Sequence, residues 1–121
     1  MIKKNMFVAA FDGLIFVFKN ERNIKIHLLV FIGAVLFGFL FQINQMEWIA
    51  ILLCSLIVFV SEIINTAIEK LCDYVHPEMH SDIRKIKDLS ASAVLLSAFI
   101  SVVIGIVVFG PYLTKTFCDL I

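Results

Sequence analysis

Four polar residues carry the possible chemistry of this chain. In SEIINTAIEKLCD, Glu62 is followed by Asn65, Glu69 and Asp73, at offsets of 3, 7 and 11. At 100° per residue these positions fall within roughly 80° of one helix face. Three acids and an amide therefore form a column. From Trp48 to Ser61 the preceding residues carry no charge. An ionised side chain in hydrocarbon costs about 2.5–3.5 kcal/mol on insertion scales. A carboxylate kept at that cost is a candidate for function, and Glu62 is that carboxylate. Asp73 and Glu69 also suit a solvated helix end.

Oxygen ligands gathered at a membrane boundary suit Mg²⁺, which takes one or two carboxylates together with substrate phosphates. Arg84, Lys85 and Lys87 supply nearby cations, with Lys87 beside Asp88. Glu21, in FKNERN, adds an acid. Metal, cation and an acceptor-activating base are the parts of phosphoryl transfer. A glycine-rich phosphate loop is missing: Gly13, Gly33, Gly38, Gly105 and Gly110 are scattered. The chain is thus neither a P-loop enzyme nor a protein-kinase-type one. His76 and His80 flank Pro77 and Glu78 in HPEMH, where proline predicts a turn and the spacing is not that of a zinc protease. His80 is a candidate phosphate contact. His27 reads as a boundary residue.

The elements that position these residues follow from composition. The chain has 121 residues, 61% hydrophobic and 17% charged, with a mean hydropathy of +1.01. A soluble domain this small has too little interior for that much apolar surface. Three spans are predicted over residues 26–46, 48–68 and 89–113, each near the roughly 20 residues that a bilayer requires. Trp48 opens the second span as an interfacial aromatic, and Pro111 marks the end of the third. Glu62 lies 14 residues past Trp48, about 21 Å along the helix. About 9 Å of a 30 Å core then remains before the cytoplasmic face.

Residues 1–25 form a surface helix in this reading. Asn5, Asp12 and Lys19 make a narrow polar stripe among Phe7, Val8, Phe11, Leu14, Ile15, Phe16 and Phe18, the pattern of a helix lying in the interface. A signal peptide with Lys3 and Lys4 as its basic region fits less well, because Asp12 interrupts the apolar run. Lys3, Lys4, Lys19, Arg22 and Lys25 precede the first span, and Lys70, Arg84, Lys85 and Lys87 lie in the predicted loop over 70–88. The positive-inside rule puts the N-terminus and that loop in the cytoplasm. Zero net charge argues against nucleic acid as a partner. Cys54, Cys72 and Cys118 have neither disulfide-framework nor metal spacing. Ala93, Ser97, Ser101 and Gly105 form a small-residue stripe, for close helix packing within the subunit or between copies.

These motifs resemble the prokaryotic diacylglycerol kinase family of small integral-membrane lipid kinases. The resemblance runs along nearly the whole chain and is carried by EIINTAIEKLCD (62–73), IKDLSASAVLL (86–96) and FKNERNIKIHL (18–28). It implies an all-α membrane protein, with a surface helix and three spans, assembled as a homotrimer in the bacterial inner membrane. It implies ATP as donor, Mg²⁺ as cofactor and a lipid alcohol, diacylglycerol or undecaprenol, as acceptor. Glu62 matches the family's general base and Asn65 the residue supporting it. Glu21 and Glu69 match the carboxylates that hold the metal with the nucleotide. Lys87 and Asp88 match the pair near the ATP phosphates and adenosine, and Glu78 and His80 fall in the nucleotide-contacting loop. The N-terminal helix departs from diacylglycerol-specific members: Ala9 and Ala10 stand in the stretch where they often carry an arginine and an aromatic. FKNERNIKIHL is closer to the branch that phosphorylates undecaprenol. Two other classes compete. A proton-coupled transporter could use Glu62, but the small multidrug exporters have four spans. A non-catalytic assembly protein could use the small-residue stripe, but it leaves Glu62 and Glu69 without a role.

Overall fold

The computed structural model describes residues 3–121, which are all helical apart from short connections. Helix α1 spans Met6–Asn20, α2 Arg22–Phe41, α3 Gln45–Val75 and α4 Ser81–Leu120. The last three are each long and apolar enough to cross a membrane. Their boundaries differ from those read along the sequence, and local chemistry explains each difference.

The surface helix is shorter than 1–25, and its first two positions lie outside the described residues. Asn5 does not join a polar stripe. Its side chain caps α1 by accepting from the Phe7 N–H at 3.1 Å, and Lys4 instead pairs with Asp12 at 2.6 Å. The helix stops at Asn20, whose side-chain amide donates to the Phe16 carbonyl. Glu21 then turns to an extended conformation (φ −96°, ψ 119°) and separates α1 from α2.

The first span ends at Phe41 rather than residue 46. Gln42 adopts a left-handed conformation (φ 50°), and its N–H returns to the carbonyls of Gly38 and Phe39. Asn44 then starts α3 with a capping box: its side chain accepts from the Glu47 N–H, and Glu47 accepts from the Asn44 N–H, both at 2.9 Å. Two orphan donors are satisfied reciprocally. The turn is thus residues 42–44. The 70–88 segment is mostly helix, and the connection shrinks to residues 76–80. Pro111 does not end α4, which continues to Leu120. A proline inside a helix removes one ladder hydrogen bond, and the bonds on either side carry the helix onward.

Helices α3 and α4 run antiparallel as a pair. Tyr112 donates to Glu47 at 2.7 Å at one end, the Ser101 hydroxyl donates to the Cys54 carbonyl at 3.2 Å midway, and Lys87 pairs with Asp73 at the other end. The middle of the small-residue stripe therefore packs within the chain, against the α3 backbone. The apolar core lies near the 42–44 turn, where Ile43, Ile51 and Val108 are buried among Phe41, Trp48, Phe109 and Tyr112. Aromatic contacts tie α2 to α4 there: Phe41 stacks on Tyr112 with centroids 5.8 Å apart. At the opposite end α1 meets α3 through Phe18–Phe59 at 5.9 Å and through Lys70 Nζ, 4.8 Å over the Phe16 ring.

Gly38 lets α2 approach this core closely. A Cβ at position 38 would stand 2.6 Å from the tip of the Trp48 indole. Overpacking of this kind costs about 1–3 kcal/mol. Gly38→Ala is expected to lower the thermal unfolding temperature in detergent, and Trp48→Phe in the same chain is expected to recover part of the loss. A Gly38→Ala protein that melts with the wild type would show that the indole yields without cost.

Candidate functional site

The site grows out of one stripe on α3. The buried residues of that helix are Ile51, Cys54, Val58, Glu62, Asn65, Thr66 and Cys72. They follow helical spacing, so one face packs along the bundle throughout. Near the 42–44 turn the stripe is apolar. Toward the 76–80 connection it becomes Glu62, Asn65 and Thr66, which are only 3%, 7% and 4% exposed. The side that should be driest thus holds a carboxylate, an amide and a hydroxyl.

Each has a definite surrounding. The Nε2 of His27 on α2 stands 3.3 Å from Glu62 Oε1. Asn65 donates from Nδ2 to Glu69 Oε1 at 3.4 Å, while its own Oδ1 is buried without a partner among the described residues. The charges of Glu69 and Glu21 both act on Glu62. Asn65 and Glu69 are joined on α3, one and two turns beyond Glu62, and Glu21 stands at the break between α1 and α2. Among the described residues no three His, Cys, Asp or Glu side chains form a ready-made metal cage. A cage is not what Mg²⁺ needs when it shares its shell with phosphates. The Glu69 carboxylate, with the buried and unpartnered Asn65 Oδ1 beside it, offers oxygen donors of the kind that ion takes.

The cationic side is built across α3 and α4. Lys87 is held by Asp73, a residue fourteen positions earlier, rather than by its neighbour Asp88. Adjacent positions on a helix diverge by about 100°, so Lys87 and Asp88 leave α4 in different directions. An ammonium carries three donors, and this pairing leaves others for a phosphate. The bond to Asp73 pushes the Lys87 ammonium above the ordinary lysine range. The connecting loop is exposed. His76 Nδ1 lies 2.9 Å from the Glu78 carbonyl, and the two histidine rings are 5.3 Å apart. His80 caps α4 by accepting from the Asp82 N–H at 3.2 Å. Glu78 and His80 thus edge the same end of the bundle as Lys87, with their side chains open to solvent.

His27 is the residue that sequence reading missed. The signal was depth. Glu62 lies about 9 Å inside the boundary, and His27 stands five residues into α2, about 7.5 Å along it. An ionisable residue within a span calls for a partner at its own level, and His27 is at that level. Beside His27 an apolar groove of about 490 Å³ opens between α2, α3 and α4, lined by Val30, Phe31, Phe59 and Val102 among others.

Comparison with known proteins bears on this arrangement. The family model described as prokaryotic diacylglycerol kinase matches residues 8–109, a stretch that includes Glu21, His27, the acidic column and Lys87. The chain is 35% identical over 107 residues to the undecaprenol kinase of Bacillus subtilis, covering 88% of this chain and 87% of that protein. It is 30% identical over 100 residues to the diacylglycerol kinase of a Synechocystis species, covering 82% of this chain and 57% of that one.

The Asp73–Lys87 pair has a testable signature. A lysine whose value is raised in the fold contributes its pairing fully below the ordinary lysine range, and loses it as pH climbs through the raised value. In Asp73→Asn the midpoint of Lys87 titration, followed by NMR of the labelled side chain in micelles, is expected to drop back toward the ordinary value. An unchanged midpoint would mean that Asp73 does not hold Lys87.

Proposed function

Because this chain belongs to the prokaryotic diacylglycerol kinase family, we propose that it is a lipid kinase that moves the γ-phosphate of ATP to a lipid alcohol, with a polyprenol such as undecaprenol as the acceptor. The observation that carries the reading is a carboxylate buried at the lipid-side end of an acidic column, beside an apolar groove. Choice of a polyprenol rests on two features. The similarity to the undecaprenol kinase extends over more of the relative's length, and α1 carries Ala9 and Ala10 in an apolar setting.

The acceptor chain lies along the groove, and its hydroxyl reaches Glu62. Glu62 takes the hydroxyl proton as the oxygen attacks the γ-phosphorus, and the bond to the β–γ bridging oxygen breaks. Asn65 keeps Glu69 in place. Glu21 and Glu69 would hold Mg²⁺ with the nucleotide phosphates, and a bound ion would supply charge neutralisation for the transferred group. Lys87 adds a positive charge at the phosphates, with Asp88, Glu78 and His80 bordering the nucleotide. Little covalent work falls to the protein, so positioning and electrostatics supply most of the rate.

Orientation and assembly follow from the same reading. ATP is cytoplasmic, so the 76–80 connection faces the cytoplasm of a bacterial inner membrane. In the most apolar stretch of α4 only 6% of the residues are buried within the chain. That surface needs lipid or further copies of the chain, in keeping with a homotrimer.

Two measurements test the proposal. Phosphate transfer from labelled ATP in mixed micelles is expected to favour undecaprenol over diacylglycerol by at least about tenfold, or 1.4 kcal/mol in transition-state terms, and chelation of Mg²⁺ is expected to stop both. Equal rates would remove the acceptor assignment, and no lipid-stimulated turnover would remove the kinase. Glu62→Gln is expected to lower kcat by about a hundredfold or more, as loss of a general base does. Full turnover in that variant would end the assignment of Glu62.

A further inference from the structure

We infer that His27 is the positioning residue for Glu62, acting as the cation that keeps this buried carboxylate ionised and aimed. The inference rests on Glu62 being the base, and it adds the requirement that makes such a base workable.

Glu62 is 3% exposed. A carboxylate so enclosed takes up a proton unless a positive charge or donors hold it. A protonated Glu62 cannot accept the acceptor's hydroxyl proton. The titratable groups around Glu62 are His27 on α2, Glu69 on its own helix and Glu21 at the α1–α2 break. Two of these three are acids, and only His27 can carry a positive charge. His27 is the basic group that meets the carboxylate, at 3.3 Å through Nε2.

The imidazole also suits the task by placement. It is about a quarter exposed, whereas Glu62 is almost fully enclosed. It also lines the apolar groove that runs beside α3. His27 therefore borders the groove and the carboxylate at once, and its contact fixes the direction of Glu62 at the groove's edge. It belongs to α2, so the α2–α3 contact sets the carboxylate's direction. Neighbours on α3 alone would leave Glu62 free to rotate. The role is electrostatic and orienting: His27 exchanges no proton with the acceptor and touches no phosphate.

Three variants of the full chain in mixed micelles, assayed with Mg²⁺-ATP and undecaprenol, test this. His27→Ala is expected to lose about a hundredfold in kcat, as when a base is disabled, with the KM for Mg²⁺-ATP within about twofold of wild type, since nucleotide binding does not involve Glu62. His27→Lys is expected to regain at least about tenfold of that loss by restoring a cation, while His27→Gln, which restores bulk and a neutral donor, regains less. A wild-type kcat in His27→Ala overturns the inference. So does a His27→Lys protein as slow as His27→Ala, or a His27→Gln protein that recovers as well as the lysine variant, because each removes the role of charge. Thermal melting in detergent accompanies every variant. A His27→Ala loss that tracks melting, and that lysine does not repair, makes His27 structural only. Glu62→Gln run alongside separates the two readings. Full turnover there removes the base itself, whereas an inactive Glu62→Gln beside an unimpaired His27→Ala removes only the part assigned to His27.

Discussion

A carboxylate inside an apolar bundle dictates much of this architecture. An uncompensated buried charge is costly, and breaking a buried pair by removing one partner typically costs about 3–5 kcal/mol. Glu62 is therefore tolerable only where another helix brings it a partner. His27 on α2 provides it at 3.3 Å, so α2 must sit at a set rotation and depth against α3. The rest of the fold can be read as the means of holding that register. Gln42 reverses the chain through a left-handed turn, and Asn44 with Glu47 starts α3 on a capping box. Gly38 lets Trp48 close onto α2.

The buried stripe of α3 divides the molecule into two ends with different physics. Near the 42–44 turn, Ile51 meets Ile43 and Val108 among stacked aromatics. This end is dry and interlocked, and it sets the spacing of α2, α3 and α4. At the other end the same stripe carries Glu62, Asn65 and Thr66, where buried polar groups reward only partners placed with care. A rigid apolar end is what makes such placement possible at the polar end, some residues away along the same helices. Asn65 shows the tension: its amide donates to Glu69, while its buried carbonyl oxygen has no partner within the described chain.

Charge is sorted in the same way. Nine of the ten lysines and arginines fall within residues 3–25 or 70–87, and Lys115 is the exception. On that side Lys87 is bound across helices to Asp73, and Lys70 covers the Phe16 ring of α1. These contacts bring the surface helix, the ends of α3 and α4 and the short loop into one rim around the acidic column. The wide apolar faces of α4 remain exposed, which is sensible only for a chain solvated by lipid or by its own copies.

The sequence by itself determined the three apolar spans, the charge asymmetry across them, the acidic column from Glu62 to Asp73 and the turn at HPEMH. All of these depend on local periodicity or composition, which a helix displays without help from its neighbours. It also carried the family resemblance, through motifs that are contiguous in the chain. Boundaries were less legible: a residue count places a span, but Asn20, Gln42 and the Asn44–Glu47 box decide where helices end. Tertiary structure alone decided the pairings. That Glu62 faces His27, that Asp73 rather than Asp88 takes Lys87, and that Ser101 rests on the Cys54 carbonyl all depend on how far each helix is rotated and at what depth it meets the next. Rotation and depth come from packing between helices, and no spacing within a single helix encodes them.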